Sequence, residues 1–178
     1  MNVREAPPFF LLTGPPGSGK TTLLKALASD VDTVPEAARR VLAQERARGG
    51  TATGEQDSAA FVARMFETMQ ADYDAASGLT LFDRGLPDLL AFCDHYKLPD
   101  IAMRGAIKVT RYQPMVFFLP GWGEIYQSDA ERTLDFAGAK AFGELTRRAY
   151  QKSGYVILEV PKAPVADRRA FILEHLDV

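Results

Sequence analysis

The chain is poor in the residues that would place it in several common classes. Cys93 is its only cysteine, so no disulfide can form within it, and the usage fits a reducing, cytoplasmic setting. It has two histidines, His95 and His175, and neither has a second ligand at metal-binding spacing. Its only asparagine is Asn2, which leaves no Asn-Lys-x-Asp element for reading guanine and no asparagine sensor of the AAA+ machine type. No apolar run approaches the roughly 20 residues that span a bilayer, and Met1 to Pro8 carries Arg4, Glu5 and two prolines instead of a secretory apolar stretch. The net charge of −2 gives no bulk attraction to nucleic acid or anionic lipid. There is no internal repeat, and only residues 48–54 (Arg-Gly-Gly-Thr-Ala-Thr-Gly) read as a flexible loop.

What remains is the profile of one ordinary globular domain. The 178 residues, 47% hydrophobic and 25% charged, suffice for a core without staples, and 1–178 is expected to be a single unit. Short apolar runs rich in strand formers at Phe9–Thr13, Thr33–Pro35, Leu79–Asp83, Met115–Leu119 and Tyr155–Val160 alternate with helical periodicity. Helices are expected from Lys20 to about Ser29, Glu36 to Arg48, Ser58 to Ala76, Pro87 to Tyr96 and Asp100 to about Arg111. Two more should end at Ser153 and run through Val165, Arg169, Ile172, Leu173 and Leu176. Alternation of this kind means an α/β sandwich with a mostly parallel sheet covered on both faces.

The most specific signal is Gly14-Pro15-Pro16-Gly17-Ser18-Gly19-Lys20-Thr21-Thr22, which fits G-x-x-x-x-G-K-[ST] between a strand and a helix. Such a loop wraps an anion in backbone amides, and the next helix adds the positive end of its dipole. Lys20 supplies a mobile charge, and the Thr21 hydroxyl is a Mg²⁺ ligand in this pattern. A plain glycine turn beside a surface lysine is the alternative.

Three further places carry candidate chemistry. Asp83, at a strand end, is either a Mg²⁺ ligand or the acceptor of a hydroxyl proton, and Arg84 after it is a candidate anion clamp. Glu36 is a candidate general base or substrate ligand with Arg39 one turn later; a dipole-favoured helix start explains Glu36 equally well. Residues 120–134 form a lid-like segment in which Arg132 is a candidate for the transferring group, unless it merely pairs with Asp129. Trp122 and Tyr126 are candidates to cover an acceptor. The loop Pro161–Val165 is a candidate border of a nucleobase, and Arg39, Arg40, Arg64 and Arg84 hint at an anionic group on the acceptor.

The cradle, Val34–Arg39, Phe82–Asp88, the Tyr126–Asp129–Arg132 spacing and Gly154 through Pro161 together resemble the AAA-domain P-loop ATPases and kinases related to the NadR ribosylnicotinamide kinase domain. The resemblance implies a nucleoside/nucleotide-kinase-like three-layer core with strand order 2-3-1-4-5 and the use of ATP and Mg²⁺. It implies an acceptor-side helical region over about residues 36–77. It names no acceptor.

Three functions follow. A phosphotransferase acting on a small molecule, with a nucleoside- or nucleotide-like acceptor as one option, is favoured by the acceptor groove, the size and the lid. A small ATPase switch is the alternative, and a nucleotide-binding module without turnover fits the intact Lys20, Thr21 and Asp83 least well. Oligomeric state is not legible.

Overall fold

The computed structural model describes residues 6–126 and 134–176. Five strands form one sheet: β1 (Phe9–Thr13), β2 (Asp32–Val34), β3 (Thr80–Asp83), β4 (Met115–Phe118) and β5 (Val156–Glu159). Their order is β2-β3-β1-β4-β5, and all four pairings are parallel. Parallel neighbours need crossovers, which seven helices supply: α1 (Lys20–Leu27), α2 (Ala37–Arg48), α3 (Ser58–Ala75), α4 (Asp88–Tyr96), α5 (Ile101–Val109), α6 (Phe136–Lys152) and α7 (Val165–His175).

Side chains alternate across a strand, so each strand feeds two cores. Leu11, Phe82 and Val116 pack with α2 to α6, around Phe61, Met65, Leu89 and Tyr150. Leu12, Leu81 and Phe117 pack with α1 and α7, around Leu23, Leu27 and Ile172. The result is the expected three-layer sandwich. Every expected element is present, with ends shifted by a residue or two, as fraying ends are.

The phase of α7 differs from the sequence reading. Arg168, Ile172 and Leu176 are buried, whereas Arg169 turns outward to Asp30, with Nη2 2.5 Å from Oδ1. No helix among the described residues is long and apolar enough to cross a membrane.

Candidate active site

Parallel strands end on one side of the sheet, and the candidate residues gather at that edge. The register sets Leu12 beside Asp83, so the carboxylate ending β3 stands next to the loop that leaves β1. In that loop Gly14, Gly17 and Gly19 have φ of 139°, 78° and 88°, a backbone course that costs other residues energy. First-turn amides of a helix have no intrahelical acceptor, and no side chain caps those of α1. Lys20 Nζ donates to the carbonyls of Gly14 at 3.0 Å and Pro15 at 2.8 Å. Burial, and secondarily Arg84, lower its pKa to about 8. Ser18 Oγ is buried without a hydrogen-bond partner among the described residues.

Asp83 is buried, and its Oδ1 also lacks a partner among them. Burial, reinforced by Glu36, pushes its pKa up to about 7 against the pull of Lys20. An ionised carboxylate in that place calls for a cation. No group of three or more acidic, histidine or cysteine side chains among the described residues could hold a metal alone. The residues fit Mg²⁺ in its usual manner, with one carboxylate and one hydroxyl, here Asp83 and Thr21, beside substrate phosphates and water.

Arg84 is turned inward, onto two carboxylates. Its φ is 73°, an uncommon conformation for a residue with a Cβ, and the turn carries the guanidinium inward. Nε donates to Glu36 Oε1 at 2.7 Å and Nη1 to Asp88 Oδ1 at 2.7 Å. Its side chain is 2% exposed. Asp88 is the hub behind it, also accepting from Thr13 Oγ1 at 2.8 Å, the Gly85 amide at 3.1 Å and Tyr150 Oη at 2.5 Å. Asp88 sat inside the sequence motif without an assigned role. Glu36 is the N-cap of α2, and its side chain makes no cap bond; a carboxylate there still meets the positive end of the helix dipole. Burial raises its pKa, yet Arg84 and then Lys20 outweigh burial and hold it down to about 2. Arg39 Nε lies 3.4 Å from Glu36 Oε2.

Lys20, Glu36, Arg39 and Arg84 border a cleft of about 690 Å³ that begins at the cradle residues Gly17, Gly19, Thr21 and Thr22. Its far wall is aromatic, with Phe61, Phe92, Tyr96 and Phe142. Phe92 and Phe142 meet edge to face, centroids 4.8 Å apart. Arg46 lines the cleft as well, whereas Arg40 turns away to Asp72, its Nη1 donating to Oδ1 at 3.0 Å.

Tyr126, expected over an acceptor, lies against the cradle at Gly17, and Trp122, expected there too, lies against Arg168 beside Gly19. A Cβ on Gly17 would come within 2.5 Å of the Tyr126 ring, and the Trp122 ring stacks 5.6 Å from the guanidinium of Arg168. Arg132 and Asp129 fall outside the described residues. Arg168 itself escaped the sequence reading, although its place one turn before Ile172 on the buried face was available to periodicity.

Residues 9–168 match the AAA domain family, which is most of the chain. The chain belongs to the AAA domain family. Solved structures show the same fold at low identity. Deoxyadenosine kinase from M. mycoides, with dCMP and dCDP bound, aligns over 95% of this AAA-domain chain and 98% of its own, at TM-score 0.69 and 12% identity. NadR in complex with NR aligns over 97% of this chain at TM-score 0.68 and 18% identity, the match covering 52% of NadR. Shikimate kinase from Acinetobacter baumannii, with shikimate, aligns over 97% of this chain and 95% of its own, at TM-score 0.64 and 18% identity. A comparison with curated protein sequences finds no match.

Proposed function

We propose that this AAA-domain protein is an ATP- and Mg²⁺-dependent phosphotransferase that acts on a hydroxyl of a small, ring-bearing acceptor of nucleoside-like shape. The observation that carries the reading is the continuity of the cleft: one cavity joins the phosphate cradle to an aromatic wall across a buried acid–base cluster. A hydrolase needs room for water, whereas an aromatic-walled compartment next to the cradle suits a planar organic ring. The kinases that share the fold support the same class.

In this reading the amides of residues 14–22 and Lys20 hold the triphosphate, and Lys20 leaves the carbonyls of Gly14 and Pro15 to do so. Asp83 and Thr21 would hold Mg²⁺, which would neutralise charge on the transferring phosphoryl group. Glu36, kept ionised and aimed by Arg84 and Arg39, accepts a hydrogen bond from the acceptor hydroxyl and orients it. The hydroxyl oxygen forms a bond to the γ-phosphorus as the bond to ADP breaks, and the proton leaves through the carboxylates or solvent. A loose transition state asks little of a base, so positioning by a poorly basic Glu36 is enough. Arg132, outside the described residues, is the arginine assigned to the transferring phosphoryl group, and Trp122 and Tyr126 border the donor.

The test uses γ-labelled ATP with Mg²⁺ and a panel of nucleosides, nucleotides and hydroxy acids. Label should pass to a panel member, and Lys20→Ala and Asp83→Asn should each lower turnover by roughly 100-fold or more while remaining folded. Phosphate release that ignores every acceptor would make the protein an ATPase switch instead.

A further inference from the structure

Among the described residues, Arg168 is the one buried arginine of the donor side that nothing above employs. It is 4% exposed. Its Nε and Nη1 are buried without a hydrogen-bond partner among the described residues. Burial lowers its pKa, in contrast to Arg84, whose guanidinium is paired with Glu36 and Asp88.

The placement of that charge is specific. Arg168 lies in the first turns of α7, and its Nη1 is 2.9 Å from where a Cβ on Gly19 would stand. Only a glycine at 19 lets the guanidinium rest against the cradle backbone. Ile125, at 3.2 Å from the same point, closes the space, and Trp122 covers the guanidinium from its face. The contact with Trp122 is attractive. It offers no acceptor to the fork of N–H groups, and it is small beside the cost of taking an arginine out of water unpaired. A buried cation of this kind is tolerated where a ligand completes it. Ser18 Oγ, buried and also unpartnered, belongs to the same cradle.

We propose that Arg168 is a polyphosphate ligand of the donor site, a second cation that reaches the cradle from α7 at Gly19, on the far side of the sheet from Glu36 and Arg84. The assignment rests on the phosphotransferase reading and deepens it: donor affinity comes from Lys20 and Arg168 together, and the ligand supplies the negative charge that Arg168 lacks. Two consequences separate this role from a structural one. Removing the guanidinium weakens every ligand that carries the polyphosphate, with or without a nucleoside. It also relieves the ligand-free protein of an uncompensated buried charge.

The experiment titrates Mg-ATP and Mg-tripolyphosphate by calorimetry into the wild type, Arg168→Met, Arg168→Lys and Lys20→Ala, and records ligand-free Tm for each. Arg168→Met should weaken both ligands by roughly 10- to 100-fold, the range of a charge-assisted hydrogen bond, with Arg168→Lys between it and the wild type. The ligand-free Tm of Arg168→Met should equal or exceed that of the wild type. Unchanged affinity for both ligands overturns the proposal, as does a loss confined to ATP, which would place the contact on the nucleoside. A ligand-free Tm lowered by several degrees also overturns it, by making Arg168 a structural cation. Should the wild type bind neither ligand, the phosphotransferase reading falls first.

Discussion

Glu36 owes its charge first to Arg84 and then to Lys20. Its carboxylate is mostly buried, which alone would favour the neutral acid, and Arg84 at 2.7 Å reverses that preference. The consequence for stability has a definite sign. Glu36 has a folded pKa of about 2 against an ordinary value of 4.5. Between those values the unfolded chain binds the extra proton, so stability is complete above the ordinary value and is lost as pH falls towards the folded one. In metal-free protein, Glu36→Gln should therefore cost roughly 1–3 kcal/mol at neutral pH, the cost of leaving part of a buried charged bond unmade. The gap between wild-type and variant Tm should close as the medium is taken from neutral to strongly acidic. A gap of constant size over a pH series of thermal melts would mean that the ion pair does not carry this stability.

Elements meet at Asp88. It begins α4, and its two oxygens take donors from β1 (Thr13), the turn after β3 (Arg84 and Gly85) and α6 (Tyr150). A wholly buried carboxylate is sustainable only with its hydrogen bonds complete. Tyr150→Phe deletes one of them and should cost about 1–2 kcal/mol. Asp88→Asn leaves Arg84 with a weaker partner and should cost more, about 3 kcal/mol, both read from urea midpoints. Such ties explain which parts of the molecule were legible in sequence. Strands, helices and the cradle are written in runs of neighbouring residues, so their positions and the sheet's class could be read directly. The inward turn of Arg84 could not, because it depends on a partner 48 positions away and on a positive φ at a residue with a side chain. The aromatic wall was hidden for a related reason. Leu89, Leu90 and Cys93 announce the core face of α4, while Phe92 and Tyr96 look like spare hydrophobics until α3 and α6 bring Phe61 and Phe142 beside them. In α7 two consecutive arginines differ in fate by one residue of helical phase, and periodicity admits either, since they stand three and four residues before Ile172.

At the scale of the molecule, the sheet is a partition. The α1/α7 layer holds Leu23, Leu27 and Ile172 with the donor-side Arg168, and the α2–α6 layer holds Met65 and the aromatic wall. In the proposed reading both layers support the same edge of the sheet, and each supports a different ligand. Ile172 and Met65 are both fully buried, so truncating either to alanine should cost about 2–5 kcal/mol. Equal losses of stability should nonetheless have unequal effects on binding. Ile172 sits one turn beyond Arg168, and a cavity there loosens the guanidinium at Gly19. Met65 sits one turn beyond Phe61, and a cavity there loosens the acceptor wall. Calorimetry with Mg-ATP, below the melting range of both variants, should find Ile172→Ala weakened several-fold and Met65→Ala close to the wild type. Because the two substitutions are matched in chemistry and burial, a common loss of affinity would trace to general destabilisation, whereas a loss confined to Ile172→Ala requires that the donor site be held from the α7 side of the sheet.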